Sequence, residues 1–476
     1  MNPDTCCTPP AAGCGARPPR GGARVGHPGP RYNPGHGAGV WRREGAMADV
    51  EYFRGLPEVG IVPRAPHAGP LLEHVYEQEH GRGGFSGRVS HTYHLYPPTN
   101  WLPGETRPLE AFAPGWESPL RPLGGVHHAL QVVPPSDADV YRGLGRLVAN
   151  ATAAMNVTAP RASMDYFFEH HSATMVVFVH RGAGTLETTF GPIAYAPGDF
   201  LVIPKGITHR FELAPGPHYY WVYESFAGDP EKVEAATTGR FLTHGAGDYR
   251  YPRSLGTVNE QGRFEIVSKV DGVYTRRVHP THPFDVVGWR GDYLPYKLAV
   301  EDVRPLVADR SHVPPSGHTV FRLPGCYLCV FTVRSVEKDA MWVPFFHKNL
   351  DYCETIGFHA GQFFSAGGLS QAGLVTVHPV GLPHGPKPRA LQNFLDGRRP
   401  EVHDEVAVMA DFANPVRIAD FALALSRPGY MDAWSAYATD PRFAYDPARL
   451  DDTRAVAERL AGARDRLAPS RSSDHV

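Results

Sequence analysis

No stretch of this chain has the ~18 consecutive apolar residues that a membrane-crossing helix needs, so no segment reads as one. An excess of either charge is also missing. With 47 Lys and Arg against 49 Asp and Glu, electrostatics gives no reason to expect nucleic acid or an acidic membrane as partner. Cysteine is scarce, six in 476 residues. Cys326 and Cys329 have no second C-x-x-C pair to complete a zinc knuckle, and their strand-like surroundings lack the turn into a helix of a redox dithiol. Both are read as buried free thiols. The first 46 residues lack the apolar core of a secretory signal. The expectation is a soluble, cytoplasmic protein.

What the chain has in quantity is glycine, 50, and proline, 47, which favours turns and short strands over long helices. An apolar share of 42% with 20% charged residues is ordinary for a globular protein, and the length suits two to three domains. Residues 1–46, dense in Pro, Gly and Arg, cannot bury enough apolar surface to order; either they are disordered or Met47 is the true start. Residues 47–123 read as an extended, loop-rich arm that wraps a barrel or a neighbouring subunit. Its histidines His80, His91 and His94 read as surface or interstrand polar contacts.

Residues 124–283 alternate β-rich runs with Gly-containing turns, the pattern of a small antiparallel barrel. PGDFLVIPKGITH ends in His209 as the second motif of a cupin does. After His170 and His171, however, Ser172 to Met175 supply no carboxylate, so this barrel is read as structural and without metal. A second barrel is expected over 284–425. Residues 426–476 form an extension with a helix from Asp452 to Leu467, which should dock on a barrel or partner subunit. The fold class expected is mainly β: two cupin-like barrels, an N-terminal arm and a C-terminal helix.

The chemistry concentrates in Phe345 to Pro386, FFHKNLDYCETIGFHAGQFFSAGGLSQAGLVTVHPVGLPHGP. His347, Glu354 and His384 offer two imidazoles and a carboxylate, the donors of a facial triad that leaves three cis positions open on non-haem Fe(II). A zinc hydrolase could use the same three types. Asn349, Leu350 and Asp351 carry turn chemistry, so His347 and Glu354 are expected either side of a hairpin, facing one interior.

Three blocks then resemble the homogentisate 1,2-dioxygenase family. Phe284 to Lys297, FDVVGWRGDYLPYK, resembles its FDVVGW-x-G-x-Y-x-PYK block; FFHKN resembles its YYHRN iron-ligand block; His378 to Pro386, HPVGLPHGP, resembles its H-x5-HGP block with the histidine spacing kept. The resemblance implies Fe(II) held by His347, Glu354 and His384 in the later barrel alone. It implies a small aromatic substrate and O2 as partners, and homogentisate converted to maleylacetoacetate in tyrosine and phenylalanine breakdown. It also implies a homo-oligomer, trimer or hexamer. His312, in SHVPPS, matches the setting of the family's catalytic histidine, with His318 as runner-up; His378 and His384 fall at substrate-binding positions.

Two departures stand out. The step from His347 to Glu354 is one residue longer than in the animal members, which sets Cys353 where a strict count puts the ligand. Only Glu354 is a hard oxygen donor there, Asp351 being the weaker alternative, and Cys353 is assigned beside the ligands rather than among them. Phe363 fills a substrate-contacting position where the family has tyrosine, and losing a hydrogen bond to a charged group costs roughly 1.5–3 kcal/mol. Two alternatives therefore stand: a related ring-opening dioxygenase acting on gentisate, a hydroquinone or a natural-product phenol, and a non-enzymatic bicupin.

Overall fold

The computed structural model describes residues 56–67, 74–232, 243–307, 315–336, 345–363, 371–398 and 400–467. The expectations for residues 1–46 lie outside them. Strand outweighs helix, 40% to 12%, and the fold is mainly β.

The architecture rests on a wall buried on both sides. Thr174–Arg181 and Tyr219–Ser225 lie inside an eight-stranded sheet with Tyr296–Ala299, Asp199–Ile203, Ala153–Thr158, Gly145–Ala149, Arg417–Ala419 and Leu120–Pro122. TMVVFVHR and YYWVYES are apolar or aromatic at most positions instead of alternating with polar ones, and they are buried almost end to end. Continuous runs of this kind mark strands covered on both faces. Because successive side chains point opposite ways, Met175, Val177, Val179, Tyr220 and Val222 pack with Leu186, Phe211 and Val267 of a seven-stranded sheet. Val176, Phe178, Trp221 and Tyr223 meet Leu328, Val377, Val408 and Phe412 of another seven-stranded sheet. Each such side chain stabilises by about 1.5–3 kcal/mol on burial, so one strand anchors two layers. Gly357 shows how closely the layers approach: a Cβ there would stand 2.6 Å from the Trp221 ring.

The earlier seven-stranded sheet contains Phe167–His170, Gly184–Thr188, Ile193–Tyr195, His209–Leu213, Gln261–Val270, Val273–Thr281 and Arg107–Leu109. The later one runs Glu231–Lys232, Thr319–Leu323, Cys326–Phe331, Val406–Ala413, Tyr352–Ala360, Val375–His378, His128–Leu130. Strand pairing differs from the boundary expected at residue 284. Val286–Gly291 pairs with Glu58–Gly60 and Val89–His94, and Tyr296–Ala299 pairs with Asp199–Ile203. The FDVVGW block thus belongs with the earlier sheets, while His128–Leu130 crosses over to edge the later one. A sheet edge exposes unpaired backbone groups and takes whichever strand satisfies them, which sequence order does not state. Gly288 allows a close approach of two backbones, since a Cβ there would lie 2.1 Å from the Ile61 carbonyl oxygen.

Cys326, Cys329 and Cys353 are buried and free. No described helix is long and apolar enough to cross a membrane. The C-terminal helix runs Arg449–Leu467, and its described side chains, Val456 and Leu460 included, are exposed rather than docked on a barrel. A low-hydropathy helix with few apolar side chains gains little from packing.

Candidate metal centre

Glu354 sits on Tyr352–Ala360, between two antiparallel neighbours. His378 lies opposite it on one side and Asp411 on the other. Directly opposed residues share a sheet face, so these three stand in a row. Cys353, one residue earlier, must point away. It is fully buried in the core and its sulfur accepts the Val380 N–H at 3.3 Å. Alternation thus sends Glu354, and not Cys353, to the site.

His347 and His384 face each other through a reciprocal backbone bridge: His347 N–H donates to the His384 carbonyl at 2.9 Å and His384 N–H returns to the His347 carbonyl at 3.0 Å. The expected hairpin between His347 and Glu354 is not what forms. Both pair instead with the same segment, His347 with His384 and Glu354 with His378. The Asn349 side chain bends the chain between them by accepting the Tyr352 N–H at 3.0 Å. Asn349 also donates to Glu354 Oε1 at 3.2 Å.

The imidazoles are oriented from behind. His347 Nδ1 lies 2.8 Å from the Phe345 carbonyl oxygen and His384 Nδ1 lies 3.2 Å from that of Leu382. A carbonyl only accepts, so each Nδ1 carries the proton and each Nε2 turns to the carboxylate. His384 Nε2 is 2.8 Å from Glu354 Oε2 and His347 Nε2 is 3.8 Å from Oε1. Cis ligands of an octahedral ion with bonds near 2.1 Å lie roughly 3.0 Å apart, so the donor atoms stand close to the spacing an ion needs. An imidazole with acceptors at both ends needs either a second proton or a cation. Burial alone pushes the Glu354 carboxyl up, but the imidazoles of His347, His378 and His384 beside it outweigh burial and hold it far below the usual range. His347 is raised, first by that same carboxylate.

Three neighbours were not singled out in the sequence. Asp411 is buried and its Oδ1 has no hydrogen-bond partner; burial, then the charge of Glu354, pushes it up to about 8. His127 lies edge-on to His378, ring centroids 5.1 Å apart, and burial pushes it down to about 4. Lys387 is buried with its Nζ 4.0 Å from the centroid of the Tyr430 ring, and burial lowers it to about 8. Trp434 Nε1 donates to the Gly385 carbonyl and the Tyr437 hydroxyl to that of Pro386, at 3.2 and 2.9 Å, so residues 434–437 clasp the turn after His384. Only the cross-strand register marks Asp411, and nothing local marks His127.

His378 is buried with Nε2 unpaired, and burial lowers it to about 4. Phe363 is half-buried against Phe358, centroids 4.7 Å apart, in an apolar cluster with Ile356, Tyr430 and Trp434. Trp434 also touches His127, 5.1 Å between ring centroids, which joins this cluster to the histidines. His318 is buried against Phe331. His312 lies outside the described residues.

A family model described as "Homogentisate 1,2-dioxygenase N-terminal" matches residues 130–300. A protein of Saccharolobus solfataricus named as a dioxygenase is 28% identical over 79% of this chain and 97% of its own length. A homogentisate 1,2-dioxygenase of Rhodopseudomonas palustris is 26% identical over 66% of this chain and 70% of its own. Among solved structures, a cupin 2 conserved barrel domain protein from Leptotrichia buccalis overlaps 60% of this chain and 98% of its own at 9% identity and a TM-score of 0.27, too slight to build on.

Proposed function

We propose that this homogentisate dioxygenase-like oxidoreductase is an Fe(II)-dependent ring-cleaving dioxygenase. Its substrates are then homogentisate and O2 and its product maleylacetoacetate, in tyrosine and phenylalanine breakdown. The observation that carries the reading is the convergence of one ligand atom each from His347, Glu354 and His384 within 4.8 Å. These residues would hold the iron, and two imidazoles with one carboxylate suit it. When bound, ferrous iron supplies a path for electrons from an electron-rich ring to O2.

The chain's own residues do the rest. The His347–His384 bridge and the two carbonyl contacts fix both ligand rings before substrate arrives, which removes an ordering cost from the reaction. Asn349 holds the Glu354 carboxylate. Phe363, Phe358 and Trp434 offer apolar faces to an aromatic ring. His378 Nε2 is an unsatisfied buried atom that a substrate oxygen can engage. His312, by its motif, takes the phenol proton, a role suited to a side chain that titrates near neutrality. Assembly as a trimer or hexamer belongs to the same reading.

Phe363 favours a second reading, a related dioxygenase for gentisate, a hydroquinone or a natural-product phenol, because a phenyl ring cannot give the acetate side chain of homogentisate the hydrogen bond that a tyrosine at this position would. Oxygen uptake across a panel of para-diphenols, with and without ferrous iron, tests both. Iron-dependent uptake greatest with homogentisate is expected. A maximum with gentisate or hydroquinone selects the second reading, and no uptake with any diphenol overturns both.

A further inference from the structure

Of the arm's histidines, His80 and His94 face a polar network: His80 and His94 both contact the Thr92 hydroxyl, at 3.2 and 2.9 Å, and His94 Nδ1 lies 2.6 Å from Asp285. His91 faces the other way. On the hairpin of Tyr76–Gly81 and Val89–His94 it stands opposite Glu79, with its Nε2 3.3 Å from Glu79 Oε2. His67 comes in from the preceding segment, its Nε2 3.9 Å from the same oxygen and its ring edge-on to His91. One ligand atom from each of the three lies within 4.8 Å of the others.

His67 is held for this. Its backbone is left-handed, φ +59°, which a non-glycine residue adopts only when its surroundings impose it. The Glu77 carboxylate supplies that constraint, accepting the His67 backbone N–H at 3.0 Å and lying 2.6 Å from His67 Nδ1. A carboxylate on Nδ1 fixes the tautomer and turns the Nε2 lone pair inward, the arrangement found behind metal-ligating histidines. A tetrahedral ion with bonds of about 2.0–2.1 Å separates its ligand atoms by roughly 3.4 Å, so separations of 3.3 and 3.9 Å need little adjustment. The nearby cation, Arg290, is already paired with Glu58 at 2.6 Å. The His67 side chain is 72% exposed, which leaves the fourth position to water.

We propose that His67, Glu79 and His91 form a second metal site, separate from the His347 centre, for a borderline divalent ion of the zinc class. Two imidazoles and a carboxylate suit such ions over magnesium or calcium. The ion ties the segment before residue 68 to the hairpin.

The test is metal stoichiometry on the full chain, stripped, loaded with excess Zn2+ and desalted. The expectation is two equivalents for the unchanged protein, one for Glu354→Gln and one for His91→Ala. Co2+ in place of zinc should give the intense visible bands of a tetrahedral ion, kept in Glu354→Gln and lost in His91→Ala. His67→Ala, which alters an exposed side chain, repeats the measurement should His91→Ala not fold, and it should leave oxygen uptake unchanged. A full complement in both His67→Ala and His91→Ala, or no zinc in Glu354→Gln, overturns the site. Neither result depends on which diphenol the His347 centre accepts.

Discussion

Glu224 in the earlier barrel and Glu354 in the later sheet are both buried carboxylates among histidines, and their neighbours treat them oppositely. Glu224 takes His170 Nε2 at 2.8 Å, Arg146 at 2.7 Å, and Trp116 and Asn156 each at 2.9 Å. Lys269 lies over Trp116. Burial pushes Glu224 up, but the charges of Arg146 and Lys269, with His170, bring it well below the usual range. His209, the histidine that ends the cupin-like motif, has its Nδ1 on the Ile207 carbonyl at 2.8 Å and its Nε2 on the Tyr141 hydroxyl at 2.5 Å. The lone pair a metal would take is therefore met by a phenol. Around Glu354, by contrast, the ion-pair partners among the described residues are His347, His378 and His384, with Asp411 adding a second acid. In one barrel the cation is covalently part of the chain. In the other, on the proposed reading, the donors would hold a cation from outside.

That contrast can be broken at either end. The largest effect is expected from Glu224→Gln, which leaves Arg146 buried without its counter-charge and Lys269 with Glu117 alone. Breaking such a pair costs about 3–5 kcal/mol, to be read by denaturant unfolding, while iron per folded chain stays unchanged. A fall in iron content would mean the earlier barrel is not purely structural. His384→Ala should lower iron retention and oxygen uptake by at least about 100-fold, the upper end of what even outer-shell changes cost, with the circular dichroism intact. Asn349→Ala removes the donor to Glu354 and should weaken ferrous binding about tenfold, measured by competition with a chelator. A loss no larger than that of a distant surface variant would deny Asn349 its positioning role. Phe363→Tyr restores a hydroxyl and should raise kcat/KM for homogentisate about tenfold, since a bond to a charged group is worth roughly 1.5 kcal/mol or more. No change would point to gentisate or hydroquinone.

The strand-rich class was legible because turn residues and apolar runs are local signals. His347 and His384 were singled out because each sits in a short motif, and Glu354 because it is the hard oxygen donor between them; the structure brings their ligand atoms within 4.8 Å, and alternation along one strand separates Glu354 from Cys353. What lay beyond the sequence is everything that depends on which strand becomes whose neighbour. Asp411 joins the site only through its register with Glu354, and the block at 284–297 joins the earlier sheets only because their edges are open to it. The same holds for His67, distant in sequence from Glu79 and His91 until the hairpin folds. Local chemistry is written residue by residue, whereas pairing is chosen by the backbone hydrogen bonds and buried surface of the whole chain at once, and that choice decides which buried carboxylate is given a resident cation, Glu224, and which is set among histidines, Glu354.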